Sequence, residues 1–373
     1  MKVVHVFKDY FPPTTGGIEQ HVHLLCSGLA RSIDVAVVAP SRSLRRRDER
    51  IDRVQVIRVP EFGRYAAVPL CPSMPWELAR LKPDIVHLHF PNPMGDLAYL
   101  MGARRVPLVI TYHADVIRQR RLLPFYHPIL IRTFGRAHRV IASAAENIGS
   151  SPVLSRYRDR CTVIPYGIDC PSFALRDGEA DEAQRRRAAH GGGSLVLFVG
   201  VLRPYKGLDV LLRALAHVPA HLIVVGRGPA RHELATLAAR LHLTKRVTFL
   251  GEVPESERRI LLHACDVFVL PSIDRREAFG IAQLEAMACG KPVIASDLDT
   301  GVRFVNRHQV TGLLVPPQDS DALAGALHRL LGDDRLRATL GKAAKRRAEL
   351  EFSAERMVNR TLQVYEEVMG GRG

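Results

Sequence analysis

Short runs rich in Val, Ile and Leu recur along this chain, each separated from the next by a turn or by an amphipathic stretch of helical period. VVHVF, VAVVAP, IVHLHF, LVITYH and VIAS form a first series between residues 3 and 143. LVLFVG, LIVVG, VTFLG, VFVLP and PVIAS form a second between residues 195 and 296. Strands that alternate with helices build βαβ units, whose crossover connections make the sheet parallel. Two series of about five strands therefore predict an α/β protein with two doubly wound domains. Residues 176–193 (RDGEADEAQRRRAAHGGG) are polar, charged and end in three glycines, so they read as a surface linker or insertion. From about residue 320 onward the sequence is helical.

A length of 373 residues suits two domains, and 47% hydrophobic with 24% charged residues excludes a disordered chain. No apolar stretch approaches the roughly 18 residues that span a bilayer. The opening run, MKVVHVFKDYF, is broken by Lys8 and Asp9 and reads as a first buried strand rather than a signal-peptide core. The cysteines at 26, 71, 161, 170, 265 and 289 include no Cys-x-x-Cys pair, which suggests reduced core thiols and a cytoplasmic setting. The net charge is +15, and it is uneven. Residues 1–170 carry 24 basic and 14 acidic side chains, net +10, against 29 and 24, net +5, in the remainder. Such an excess attracts a polyanion, an anionic membrane or a phosphorylated substrate; high arginine usage is the plain alternative.

In an open α/β sheet, ligands bind beyond the carboxyl ends of the strands, so the residues there carry the functional signal. After the first strand, Gly16 and Gly17 precede a helix starting near Ile18, where backbone N–H groups can approach an anion. Taken alone, they are better explained by a plain strand-to-helix turn. His113 ends a buried strand, placed either to hydrogen-bond a ligand or simply to pack. In the second half, Arg203 and Lys206 follow LVLFVG and lead to a helix from Gly207, an arrangement suited to a diphosphate. Gly226 and Gly228 follow LIVVG and allow close backbone approach. In EAFGIAQLEAMACGKPV, Glu277 lies in a loop, Phe279, Gly280 and Ile281 open a helix, and Glu285 lies within it. Carboxylates bind sugar or ribose hydroxyls, and helix-start N–H groups hold phosphate.

That last run, from Glu277 to Val293, resembles the hallmark of the retaining group-1 glycosyltransferases, a family with the GT-B architecture. The resemblance covers nearly the whole chain: Gly16–Gly17, TYHAD (111–115), VIPYGID (163–169), GVLRPYKG (200–207) and VTFLGEVP (247–254) follow in the family's order. It implies two facing Rossmann-like domains with parallel sheets. Residues 1–170 would form an acceptor-binding domain, onto which a C-terminal helix, 354–370, packs back. Residues 171–353 would form the nucleotide-sugar-binding domain. It also implies transfer of a hexose from a nucleotide diphosphate sugar, GDP- or UDP-linked, with retention of configuration. Glu277 would bind the donor sugar and Glu285 the ribose. Gly16 and Gly17 would approach the diphosphate, Lys206 would neutralise it, and His113 would hydrogen-bond the sugar. The family's usual Arg after the glycine at 200 is Val201 here, with Arg203 two residues on. With no Asp-x-Asp in a metal-binding context, no metal or other cofactor is expected.

For the acceptor, the stretch 116–136 mixes Arg118, Arg120, Arg121 and Arg132 with Leu122, Leu123, Phe125, Tyr126 and Ile129, a composition suited to an anionic bilayer interface. Arg42, Arg45, Arg46, Arg47 and Arg50 form a second basic cluster. A lipid-linked glycan acceptor and peripheral attachment to the inner face of the plasma membrane are the expectation, with an ordinary buried helix pair as the alternative for 116–136. The resemblance, and nothing else in the sequence, implies mannose as the sugar. Two other functions compete. A sugar-nucleotide epimerase of similar shape lacks the Glu277–Val293 match, and a nucleic-acid-binding protein lacks both a recognisable module and aromatic stacking surface.

Overall fold

The computed structural model describes all residues except 13, 15, 66–67, 116–122, 191 and 372–373. The chain divides into two compact units, Met1–Gly167 with Ala354–Gly373, and Ile168–Ser353.

In the first unit the strands are β1 (Lys2–Val6), β2 (Asp34–Pro40), β3 (Arg47–Ile51), β4 (Val54–Val59), the short pair β5 (Arg64–Tyr65) and β6 (Val68–Pro69), β7 (Ile85–Phe90), β8 (Leu108–Tyr112), β9 (Ala137–Ala142) and β10 (Cys161–Val163). Eight of them form one sheet in the order β10-β9-β8-β7-β1-β2-β4-β3. It is parallel except for β3, which runs antiparallel to β4 at the edge. The strands alternate their side chains between two buried faces. Val4, Val6, Val86, Leu88 and Ile110 pack on one face; Val3, Val37, Ile85 and Val109 pack on the other. The second face is covered by helix Gly17–Leu29 and the C-terminal helix Ala354–Gly370, through Val22, Leu25, Met357, Val364 and Tyr365. The last helix thus returns to the first unit, as the resemblance implies.

In the second unit, β11 (Ser194–Val199), β12 (Ala220–Val225), β13 (Val247–Gly251), β14 (Val267–Leu270), β15 (Val293–Ser296) and β16 (Gly312–Val315) form a wholly parallel sheet in the order β13-β12-β11-β14-β15-β16. This is the dinucleotide-fold order, with its reversal of direction between β11 and β14.

Two things differ from the sequence reading. The segment read as a linker contains an α-helix, Glu179–Ala189, of which only Ala183 is buried. Ion pairs, not apolar burial, dock it: Arg259 to Glu179, Arg186 to Glu257, and Arg187 to Asp266 at 2.7 Å. The first sheet also gains β3, β4 and β10, and the second gains β16. In VQVIRV the pattern is interrupted by Arg58, which is buried because Glu49 (2.6 Å) and the Tyr10 carbonyl (3.3 Å) accept its N–H groups. All six cysteines are free thiols, four of them buried.

Candidate active site

The reversal between β11 and β14 brings Lys206 and Glu277 together. Lys206 closes a short 3-10 turn after β11, and Glu277 lies in the loop after β14. Lys206 Nζ donates to Glu277 Oε2 at 2.5 Å, and Ser272 Oγ donates to the same oxygen at 2.8 Å. Both charged side chains are nearly buried, at 13% and 8% exposure. Burial disfavours the ammonium, but Glu277 and Tyr205 outweigh it and hold the Lys206 pKa above its ordinary value. The Glu277 loop is pinned from the other side. Thr300 Oγ1 donates to the Glu277 carbonyl (2.9 Å), and the Gly301 N–H donates to that of Ala278 (2.9 Å).

The two loops meet so closely that a side chain is excluded between them. Gly207 sits at φ +66, and a Cβ there would lie 1.9 Å from the Pro271 carbonyl oxygen. Gly226 and Gly228 answer a similar demand. A Cβ on Gly226 would meet the Gly200 oxygen at 2.0 Å, and one on Gly228 the Leu202 oxygen at 2.3 Å. The neighbouring loop thus accounts for the missing side chain of Gly226.

Gly280, at φ +75, is the N-cap of helix Ile281–Ala288, with Ile281 its first residue. The first N–H groups of such a helix have no partner within it and favour an anion. Phe279 is turned the other way: its ring is buried edge-on to Phe352 in the core, leaving only its backbone for a ligand. Glu285 lies inside the helix, buried, with the Arg258 guanidinium 3.5 Å away. Burial raises its pKa more than Arg258 lowers it. Arg203 is exposed, beside Val201.

In the first unit, Gly16 caps helix Gly17–Leu29. The space above Gly16 is taken by the chain's own Glu19, whose Oε2 would lie 2.2 Å from a Cβ at that position. Burial raises the pKa of Glu19. His113 follows β8 and is 2% exposed. Both its ring nitrogens have partners: Nδ1 with the Tyr166 hydroxyl (2.5 Å) and Nε2 with His89 Nδ1 (3.0 Å). Burial pulls its pKa well down, so the ring is neutral.

Sequence reasoning missed Ser272, Arg258, Tyr166, His89 and His21. His21 is buried against the Tyr166 ring at 4.0 Å, and its Nδ1 has no hydrogen-bond partner among the described residues. The signal for His89 was present in IVHLHF, where histidines at alternate positions of a buried strand must share one face.

Two Rossmann-like units, with a charged pair at the strand-order reversal of the second, define a GT-B protein. The whole chain superposes on sucrose-phosphate synthase from Thermosynechococcus elongatus with a TM-score of 0.82, at 24% identity and covering 99% of each chain. Residues 180–347 match the family described as glycosyl transferases group 1, and residues 15–171 match glycosyltransferase family 4. An O-antigen chain mannosyltransferase C of Escherichia coli is 33% identical over 98% of both proteins. A D-rhamnosyltransferase WbpZ of Pseudomonas aeruginosa is 35% identical over 95% of this chain and 93% of that protein. The chain belongs to the group 1 glycosyltransferases, and it is a glycosyltransferase.

Proposed function

We propose that this enzyme moves a hexose, mannose, from a nucleoside diphosphate sugar to a lipid-linked glycan acceptor in cell-surface polysaccharide assembly, with retention of configuration. The observation that carries the donor half is the Lys206–Glu277 pair at the β11/β14 reversal, beside the N-terminus of helix Ile281–Ala288. Lys206 and the helix-start N–H groups balance the diphosphate's charge as it departs, and Glu277 accepts hydrogen bonds from the sugar hydroxyls. Glu285 takes the ribose, and Arg203, exposed on the same loop as Lys206, adds a second cation. His113, Gly16 and Gly17 keep the roles toward the donor that the resemblance assigns them. A ring nitrogen of His113 reaches a sugar only by exchanging Tyr166 or His89 for it. The acceptor attacks on the face the diphosphate leaves, assisted by that phosphate, and the charge is met without a metal. The mannosyl and rhamnosyl relatives support a hexose of the manno series.

Incubation with UDP-, GDP-, ADP- and dTDP-sugars, reading nucleoside diphosphate release, tests the donor half. GDP-mannose is expected to be cleaved, with or without EDTA, and Glu277→Gln to abolish cleavage. No release together with no thermal stabilisation by any donor would sink it.

For the acceptor half, Phe125 is 81% exposed, Trp76 80% and Met101 68%, on three helices that pack in succession: Met74–Arg80, Pro93–Gly102 and Leu123–Arg136. Arg132 and Arg136 are exposed on the last of them. Aromatic and basic side chains together suit the surface of an anionic bilayer. No helix among the described residues is long and apolar enough to cross a membrane. Arg118, Arg120, Arg121 and Leu122 lie outside the described residues, as does the side chain of Leu123. In the second cluster, Arg42 pairs with Asp9 (3.2 Å) and Arg46 with Glu77 (2.7 Å), which leaves Arg45, Arg47 and Arg50 as its exposed remainder. Flotation with phosphatidylglycerol vesicles should be strong at low salt and weakened by Phe125→Ser with Trp76→Ser. Equal flotation of the double variant would overturn this surface.

A further inference from the structure

Four histidines of the first unit are threaded into one hydrogen-bonded chain. His5 lies on β1, His87 and His89 on β7, and His113 just after β8, all on the face covered by the C-terminal helix. The strand register sets His5 beside His87 and His89 beside Thr111. From one end, the Tyr166 hydroxyl meets His113 Nδ1 at 2.5 Å, and His113 Nε2 meets His89 Nδ1 at 3.0 Å. His89 Nε2 then meets His5 Nδ1 at 3.0 Å, and His5 Nε2 meets the Tyr365 hydroxyl at 3.3 Å. That hydroxyl also meets His87 Nδ1 at 2.5 Å, and His87 Nε2 meets Thr111 Oγ1 at 2.7 Å. All four rings are buried, and burial lowers all four pKa values, so each ring is neutral.

A neutral imidazole has one donor and one acceptor nitrogen. Every link needs one of each, so the tautomer of any one of His113, His89 and His5 fixes the other two. These three rings are all protonated on Nε2 or all on Nδ1, whereas the Tyr365 hydroxyl can accept twice and so leaves His87 free to take either tautomer in the first state. The Tyr166 end favours the first state. Asn147 Nδ2 donates to Ser143 Oγ at 2.9 Å, and Ser143 in turn bonds the Tyr166 hydroxyl. With its oxygen accepting from Asn147, Ser143 has its one proton to give to Tyr166, and Tyr166 can then give its own to His113.

We propose that His89, His5 and Tyr365 are positioning residues that hold His113 as its Nε2–H tautomer through this one-way chain, whose far acceptor, Tyr365, is supplied by the C-terminal helix. The importance of that ring for transfer rests on the function proposed above; the chain itself does not. His5, His87 and His89 also bring ring nitrogens within 4.8 Å of one another, close enough for a metal ion. The geometry favours the chain instead. His87 and His89 are stacked, their planes 12° apart, so their lone pairs run side by side rather than converging.

The test is the tautomer state, read by nitrogen-15 spectra of the histidine-labelled protein without donor. Wild type should show His113, His89 and His5 all protonated on Nε2. In Tyr365→Phe, the His5 Nε2–H loses its acceptor, and Nδ1–H forms of His5, His89 and His113 should appear together. His113, His89 or His5 as Nδ1–H in the wild type, or an unchanged His113 in Tyr365→Phe, would overturn the proposal. So would about one equivalent of tightly held zinc that His87→Ala removes. With GDP-mannose as donor, Tyr365→Phe should lower kcat about tenfold or more and leave KM nearly unchanged. A wild type that does not turn over GDP-mannose would count against the proposed donor and leave the spectra to decide the chain.

Discussion

At the scale of single residues, the second unit concentrates its risk in the Lys206–Glu277 pair. Removing two charges from water is costly; their mutual attraction, the Tyr205 side chain beside Lys206 and the Ser272 hydrogen bond offset that cost. Lys206→Met leaves a carboxylate buried with one hydroxyl donor, and Glu277→Gln leaves a buried ammonium without its counter-charge. Each should destabilise the unit by roughly 3–5 kcal/mol. The double variant should be more stable than either single one, because it leaves no unpaired charge. Chemical denaturation of the four proteins measures this directly. Simple additivity would mean that the pair is not coupled. All three variants should be inactive in sugar transfer, so the cycle separates what the pair does for folding from what it does for the donor.

At the scale of elements, helix Glu179–Ala189 depends most on charge. It has one buried residue and three ion-paired arginine contacts to the body of its unit. The Arg259 guanidinium lowers the Glu179 pKa to about 2, so that carboxylate stays charged across any working pH. Screening weakens such contacts. Amide exchange in residues 179–189 should therefore accelerate between low and high salt, while exchange in β11 stays constant; equal salt response in both would contradict this docking. The same helix marks a limit of reading from sequence. Apolar periodicity located most strands because Val and Ile runs record burial. It passed over this helix, whose partners are charges 70–80 positions away. It also passed over β4, where a buried arginine breaks the pattern. Spacing placed Glu277, Gly280 and Glu285 correctly around one helix start. It could not show that Glu277 holds Lys206, because that contact depends on β14 lying beside β11. Nor could it show that Gly226 serves a neighbouring loop and Phe279 the core.

At the scale of the molecule, the two units answer acid differently. In the first, His5, His21, His87, His89 and His113 are buried and neutral, with His5 and His21 lowered to about 3. Unfolding frees each to take up a proton near its ordinary value of 6.5. A depressed folded pKa means the unfolded state binds more protons as pH falls. Stability is therefore full above about 6.5 and is lost progressively toward 3. At pH 5 the loss is on the order of 1–2 kcal/mol per histidine, and five of them approach the whole stability of an ordinary domain, about 5–15 kcal/mol. The second unit's lowered histidines, His190, His221 and His263, are only partly buried, so its loss is smaller. Hydrogen exchange at pH 7 and pH 5 should show protection disappearing from β1, β7 and β8 while β11, β12 and β14 remain protected. Loss of protection in the second unit first, or an equal loss in both, would mean that the buried histidines do not govern the acid limit of this fold.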